Sequence, residues 1–169
     1  MDPACGTFGF MIAAAQAVRE VENVHACTDV TGFGLLGHLV EICKGSGVAA
    51  ELDYAALPIL PNALDYAAKG CITGASARNW SGYGEHVVLD PKRFGDVERA
   101  LLTDPQTSGG LLIACAPELA TEVLSIFLQQ GFEHAAVIGE ILDGEPQVRF
   151  THPPKKRFKF SLPSPFKKA

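Results

Sequence analysis

The sequence predicts an α+β fold, a layered α/β sandwich with a mixed sheet and split β-α-β (ferredoxin-like) character. Apolar runs typical of strands alternate along the chain with stretches whose apolar residues recur at helical spacing. Two β-α-β passages, residues 23–52 and 111–142, are separated by a longer segment that is rich in Gly and Pro. This separation favours a split arrangement over a purely parallel sheet.

The first half of the chain predicts helices, strands and a glycine-rich loop. An apolar run near the start indicates a buried helix, because no basic segment precedes it as in a signal peptide. Leu35, Leu39 and Cys43 lie at helical spacing, and Gly47 ends that helix. The predicted elements are a helix at 8–20, a strand at 23–29, a helix at 34–44, a strand at 48–52, a helix at 62–69 and, where four glycines cluster, a loop at 70–84.

The second half continues the alternation of strands and helices. The continuous apolar run at 111–115 predicts a buried strand. Pro117 suits the first turn of the next helix, and Gly131 ends it. The predicted elements are a strand at 86–89, a helix at 95–102, a strand at 111–115, a helix at 117–130 and strands at 135–142 and 147–150.

The charge is distributed unevenly along the 169 residues. We expect one domain at 1–150, followed by a basic, Pro-containing and flexible tail at 151–169. The tail holds six of the fourteen Lys and Arg residues and no acid, which leaves a formal charge of −11 on the rest of the chain. An acidic body argues against a nucleic-acid partner, because neutralising phosphates requires clustered Lys and Arg. No apolar run is long enough to cross a bilayer, so we expect no membrane partner.

The five cysteines include no Cys-x-x-Cys pair, which argues against a zinc site, and their odd number fits no closed set of disulfides. Cys43 and Cys115 lie in apolar runs, where a free Cys behaves as a small core residue. This usage is typical of a reducing compartment and predicts a cytoplasmic protein.

Residues 28–34, the first loop, read Thr-Asp-Val-Thr-Gly-Phe-Gly and lead from a predicted strand into a predicted helix. Ligands collect at such strand ends, and the free N–H groups of a helix N-terminus favour anions. Gly32 and Gly34 allow the backbone to approach a phosphate closely. Asp29 would repel a phosphate, so we expect it to hold Mg²⁺, which takes carboxylate and phosphate oxygens together. The alternative is that Asp29 or Thr31 only caps the helix.

Residues 104–110, the second loop, read Asp-Pro-Gln-Thr-Ser-Gly-Gly. Asp104, Gln106, Thr107 and Ser108 offer hydrogen-bonding groups to a bound cofactor, and the two glycines relax the backbone. The alternative is a structural loop whose side chains satisfy its own peptide groups, which is the better interpretation for Thr107 and Ser108.

Two further features have more than one interpretation. His38 lies on an apolar helix and fits a hydrogen-bonded packing residue better than a ligand. Residues 78–80, Arg-Asn-Trp, fall in the predicted glycine-rich loop, where they could meet a nucleotide or a partner domain, or anchor the surface.

The two loops, in this order, carry a resemblance to a known family. With Leu-Leu-Gly-His after the first loop and Leu-Leu after the second, the chain resembles the selenophosphate synthetase (selenide, water dikinase) family over about residues 2–142. That family belongs to the aminoimidazole-ribonucleotide-synthetase-like superfamily, whose C-terminal domains have the fold class predicted above. Residues 57–61, 77–79, 83–84 and 138–140 also match the family pattern.

The resemblance implies a homodimeric two-domain enzyme that converts ATP, selenide and water to selenophosphate, AMP and phosphate. This chain corresponds to the C-terminal domain alone. The missing amino-terminal domain would supply the reactive Cys or selenocysteine, an essential Lys, most nucleotide contacts and most of the dimer interface. The carboxylate that matches Asp29 joins carboxylates of that domain around Mg²⁺.

In the family pattern a Lys closely follows the reactive Cys, whereas the first Lys after Cys5 is Lys44. Cys5 therefore does not match the reactive residue of the family. We therefore expect no catalytic residue in this chain and no activity of the chain alone. Exposed apolar surface where the other domain would dock predicts self-association.

Two alternatives are kept open. A superfamily relative would act on aminoimidazole ribonucleotide, thiamine phosphate or a hydrogenase-maturation carbamoyl group, although the complete second loop favours selenide. Loss of selenoprotein synthesis on gene deletion, against a purine or thiamine requirement, would separate these. The other alternative is a non-catalytic binding or dimerisation module. Tight binding of Mg²⁺-ATP by the chain alone would show that it carries a complete pocket and needs no second domain for binding.

Overall fold

The computed structural model describes residues 17–18, 20–107 and 109–152. Most of the predicted helix at 8–20, Cys5, Ser108 and nearly all of the predicted tail lie outside the described residues. The elements, in order, are β1 (Val24–Asp29), α1 (Gly34–Ser46), β2 (Val48–Asp53), α2 (Ala63–Ala68), α3 (Gly74–Tyr83), β3 (Val87–Val88), α4 (Asp96–Leu102), β4 (Leu111–Cys115), α5 (Ala120–Gln129), β5 (Gly139–Asp143) and β6 (Val148–His152).

The described strands form two sheets. β1 and β4 pair antiparallel in a two-stranded sheet, and the other four strands form a sheet in the order β3-β6-β2-β5. The larger sheet is mixed, because β2 pairs antiparallel with β5 and parallel with β6, and β6 pairs parallel with β3. These sheets confirm the predicted α+β class with a mixed sheet. Each β-α-β passage crosses from the smaller sheet to the larger one, since β1 and β4 lie in one sheet and β2 and β5 in the other.

Helix α1 packs its apolar face against the larger sheet. The helical spacing noted in the sequence places Leu36, Leu39, Val40 and Cys43 on one side, and all four side chains are buried. They belong to one core cluster with residues of β2 and β6. An aromatic group closes the cluster, formed by Tyr54, Phe94 and Phe150 with ring centroids 5.0–6.3 Å apart.

The prediction of a loop at 70–84 is wrong, because α3 occupies ten of these residues. Thr73 caps the helix: its side-chain oxygen accepts a hydrogen bond from the Ser76 N–H. The glycines lie at helix ends, where they do not break a helix. Gly70 has a φ of 87° just after α2, and Gly84 leaves room for the Trp80 ring, 2.9 Å from where a Cβ would be.

Other predicted bounds agree to within a few residues, with two differences. The helix predicted at 117–130 begins as a 3-10 turn, Pro117–Leu119, before α5. The strand predicted at 135–142 starts later, at Gly139, where the backbone lies so close to β2 that a Cβ would overlap the Glu51 backbone.

A cleft of about 1400 Å³ opens between the two sheets. Its walls include apolar side chains of β4, α5 and the segment before β5, among them Leu112, Phe127 and Ile138. Val137 and Ile141 stay 56% and 41% exposed beside it. The apolar faces of the two sheets are thus incompletely covered by the described residues.

In the described part of the chain, no helix combines the length and apolar character that a membrane span requires.

Candidate functional site

The structure brings the first and second loops together at one edge of the smaller sheet. Antiparallel pairing of β1 and β4 places Asp29 opposite Leu111. The pairing continues past the strands, where the Val30 N–H donates to the Gly110 carbonyl and the Gln106 N–H donates to the Thr31 carbonyl, both at 2.9 Å. Residues far apart in sequence therefore form a single surface.

The glycines of the loops have different surroundings. Gly34 has a φ of 68°, and a Cβ there would lie 2.7 Å from the Thr103 carbonyl carbon and 2.9 Å from the Asp104 oxygen. A Cβ on Gly109 would overlap the Val30 carbonyl oxygen. Gly32, by contrast, has no atom within 4 Å of the position of a Cβ. The close approach at Gly34 and Gly109 is therefore between the two loops, and the open space for a ligand lies at Gly32.

Asp29 is exposed at the end of β1. Its carboxylate makes no hydrogen bond or ion pair with the residues that the structure describes. The alternative that Asp29 or Thr31 caps the following helix is wrong. The N-cap of α1 is Phe33, without a side-chain hydrogen bond, and the Thr31 hydroxyl instead lies 3.2 Å from His38 Nε2. The Asp29 carboxylate is thus available to a ligand.

His38 is a buried hydrogen-bonded residue, as its apolar helix predicts. Its Nε2 accepts a hydrogen bond from the Thr31 N–H at 3.0 Å, so that nitrogen carries no proton. The proton then resides on Nδ1, which lies 3.5 Å from a carboxylate oxygen of Glu41. His38 therefore ties the first loop back onto α1.

In the second loop, the side chains of Asp104 and Gln106 bond to the protein itself. Asp104 Oδ1 accepts hydrogen bonds from the hydroxyls of Thr73 and Ser76, at 3.1 and 3.2 Å. Gln106 Nε2 donates to the Asp104 carbonyl at 3.1 Å. These contacts are those expected of a structural loop. Thr107 is exposed, and its hydroxyl has no partner among the described residues.

Helix α3 supplies residues that the predicted loop obscured. Asn79 Nδ2 donates to the carbonyls of Gly32 and Thr103, each at 2.9 Å. Tyr83 donates its hydroxyl to the Phe33 carbonyl at 2.6 Å. The sequence signal for this helix is Thr73, because Thr is a preferred N-cap residue and stands directly before Gly74.

Burial raises the pKa of three described side chains, of which Tyr83 contacts the first loop. It raises the pKa of Tyr83 to about 12, against a smaller lowering by a hydrogen bond with the Gly37 backbone. Tyr83 thus stays protonated and keeps donating across the physiological range. Burial also raises the pKa of the Cys43 thiol and, with a contribution from Glu118, that of Cys115. Neither thiol has the depressed pKa of a reactive thiolate.

The described residues contain no group of three His, Cys, Asp or Glu side chains that could hold a metal ion. Asp29 therefore contributes a single carboxylate. Mg²⁺ is commonly bound by one or two carboxylates, with waters and phosphate oxygens completing its octahedron. The donor chemistry of Asp29 fits one ligand of such a cation.

The chain matches the family model "AIR synthase related protein, C-terminal domain" over residues 9–151. It is 57% identical over 128 residues to a selenide, water dikinase of Dechloromonas aromatica (strain RCB), covering 76% of this chain and 36% of that protein. It is 53% identical over 136 residues to a protein of the same name from Burkholderia pseudomallei (strain K96243), covering 78% and 37%. The chain thus spans little more than a third of the length of these curated relatives.

Among solved structures, the crystal structure of E. coli HypE matches with a TM-score of 0.55 and 24% identity, over 83% of this chain and 35% of that one. The hydrogenase maturation protein HypE in complex with ATP matches with a TM-score of 0.50 and 22% identity, over 80% and 34%. At these identities the likeness establishes the fold alone.

Proposed function

The chain belongs to the AIR synthase related protein family, matching its C-terminal domain, and on this premise we propose that it is the C-terminal part of a selenide, water dikinase. The complete enzyme would convert ATP, selenide and water to selenophosphate, AMP and phosphate. The observation that carries the proposal is the free Asp29 carboxylate on the surface where both loops meet, in a chain 57% identical to a protein of that name. Relatives at 53–57% identity favour this activity over the hydrogenase-maturation alternative.

Asp29 would be this chain's ligand for Mg²⁺ beside the ATP phosphates, and the other protein ligands would lie on an amino-terminal domain. When bound, the cation neutralises charge that develops on phosphate oxygens. The open space at Gly32 provides room for a phosphate next to the carboxylate. Gly34 would contribute by holding the two loops together, so that this surface has a fixed shape.

The roles of Asp104 and Gln106 follow from their contacts. Asp104 would anchor the second loop to α3, and Gln106 would join the two loops through its backbone N–H. Thr107, exposed on the same loop and without a hydroxyl partner among the described residues, would be free to meet a nucleotide. The second loop thus serves mainly to position the first.

The reactive Cys or selenocysteine and the essential Lys would lie on the amino-terminal domain. That domain would also provide most of the interface of a cytoplasmic homodimer. Selenide and ATP would react between the two domains, with Asp29 facing the junction. The chain alone should therefore release no AMP from ATP, Mg²⁺ and selenide, and steady AMP release by it would overturn this division of roles.

The proposal is tested by Asp29→Ala in the complete enzyme. AMP and selenophosphate formation, followed by ³¹P NMR, should fall at least about a hundredfold, because a charge that stabilises the transition state is lost. The melting temperature should not fall, since the Asp29 side chain is exposed and its carboxylate makes no hydrogen bond or ion pair with the described residues. The matched control is Glu145→Ala, an exposed carboxylate in the turn before β6, which should retain full activity. Activity that survives Asp29→Ala would refute the cation site.

A further inference from the structure

Helix α3 presents polar side chains from one face to both loops. Ser76, Asn79 and Tyr83 are spaced i, i+3 and i+7, so they lie on the same side of the helix. Ser76 bonds Asp104, Asn79 bonds Gly32 and Thr103, and Tyr83 bonds Phe33. The helix therefore spans the junction between the first and second loops.

The Asn79 amide is matched to its two acceptors. A carboxamide nitrogen carries two N–H groups, and here they reach two carbonyl oxygens that belong to different loops. A carboxylate at this place would carry only acceptors and would repel both oxygens. The bond to Thr103 is partly buried, so the loss of the Asn79 donors would leave the Thr103 carbonyl oxygen with poor access to water.

Three successive residues of the first loop are each held by a polar side chain. His38 accepts from the Thr31 N–H, Asn79 donates to the Gly32 carbonyl, and Tyr83 donates to the Phe33 carbonyl. Asn79 alone of these three side chains also bonds the second-loop side of the junction, through Thr103. Thr103 is buried, with 1% of its surface exposed, and its hydroxyl bonds back to α4. The first loop is in this way fastened to the core.

We propose that Asn79 is a positioning residue for the cation site: it contacts neither cation nor nucleotide, and by holding Gly32 against Thr103 it fixes the backbone of the first loop, which carries Asp29. The catalytic part of this inference rests on the function proposed above, because it takes Asp29 to be a cation ligand. Fixed donors and ligands are worth more than mobile ones, since no reorganisation is needed when the substrate binds.

The test uses Asn79→Ala, with Asn79→Gln as the rescue variant because Gln keeps both N–H donors. Two controls match it. Ser81→Ala removes an exposed hydroxyl from the same helix, where, among the described residues, it bonds the Ala77 carbonyl alone. Val148→Ala destabilises the core at a fully buried residue of β6, away from both loops.

The first measurement is amide hydrogen exchange in the chain itself. Asn79→Ala should speed exchange at Val30, Thr31 and Gln106 by about tenfold, because one partly buried hydrogen-bonded junction is lost. Asn79→Gln should recover part of the protection. Ser81→Ala should change nothing, and Val148→Ala should leave these loop amides as in the wild type.

The second measurement is the Mg²⁺ concentration for half-maximal ATP turnover in the complete enzyme, taken where every variant is folded. Asn79→Ala should raise it about tenfold, whereas Val148→Ala should lower only the melting temperature. Unchanged loop exchange in Asn79→Ala would overturn the positioning role. Faster loop exchange with an unchanged Mg²⁺ requirement would overturn its link to the cation. If the complete enzyme shows no selenide-dependent turnover at all, the proposed function fails, while the exchange experiment still decides whether Asn79 holds the loops.

Discussion

Replacing Gly34 by Ala should separate the two loops. Gly34 has a φ of 68°, and in this left-handed region an L-residue costs about 1–2 kcal/mol. The new Cβ would also lie 2.7 Å from the Thr103 carbonyl carbon. This neighbour is a backbone atom, so it cannot move away as a flexible side chain could. Forcing an extra carbon into packed structure costs about 1–3 kcal/mol. Together the free energy of unfolding should fall by about 2–5 kcal/mol.

The assay is urea unfolding followed by circular dichroism, with thermal unfolding as a second measurement. For a chain of this size the expected loss corresponds to a fall in melting temperature on the order of 10 °C. Gly32→Ala is the matched control in the same loop, because a Cβ there meets no atom within 4 Å and the φ lies outside the left-handed region. Its free energy of unfolding should lie within about 0.5 kcal/mol of the wild-type value. A slightly higher urea midpoint is also consistent, because Ala lowers the conformational entropy of the unfolded chain.

Two results would refute this reasoning. Gly34→Ala within about 0.5 kcal/mol of the wild type would mean that the loops do not approach as closely as the structure has them. Equal destabilisation by both substitutions would mean that the first loop tolerates no side chain at all, whatever its surroundings. The first result would contradict the close packing of the two loops and the positioning of Asp29 that depends on it.

Further predictions concern α3. Burial raises the pKa of Tyr83 from 10.0 to about 12, which favours its protonated form in the folded protein. The resulting stability is fully present below pH 10 and is lost as the pH rises toward 12. The urea midpoint of the wild type should therefore fall over this window, and Tyr83→Phe should remove that part of the fall; an identical pH dependence in the variant would contradict the assignment. Thr73→Ala should lower the free energy of unfolding by about 1 kcal/mol through loss of the N-cap, as measured by urea unfolding. Thr151→Ala, which removes a hydroxyl that donates to the Leu52 carbonyl in the larger sheet, serves as a comparison, and faster amide exchange in α3 should occur only in Thr73→Ala. Protection of α3 that is unaffected by Thr73→Ala would contradict the cap.

Local patterns were sufficient to predict the strand, turn and helix of the first loop. The apolar face of α1 is visible in the sequence because buried residues recur with the helical period, and the same pattern fills the core. The apolar run of β4 predicted its bounds correctly for the same reason. Helix α3 is not apparent from the sequence because four glycines within fifteen residues are typical of a loop, although they lie at helix ends and Thr73 caps the start of α3.

Residues that are neighbours in the chain predict the family, most of the elements and the candidate ligand Asp29. The residues that hold the loop of Asp29 in place come together only in three dimensions. The Asn79 amide meets Gly32 from 47 positions away, and Gly34 faces Thr103 across the junction of the loops. Such contacts depend on how β1 pairs with β4 and where α3 packs, and no local periodicity encodes those distances. The presence of Asp29 between a strand and a glycine turn is thus a property of the sequence, and the fixed backbone of its loop is a property of the fold.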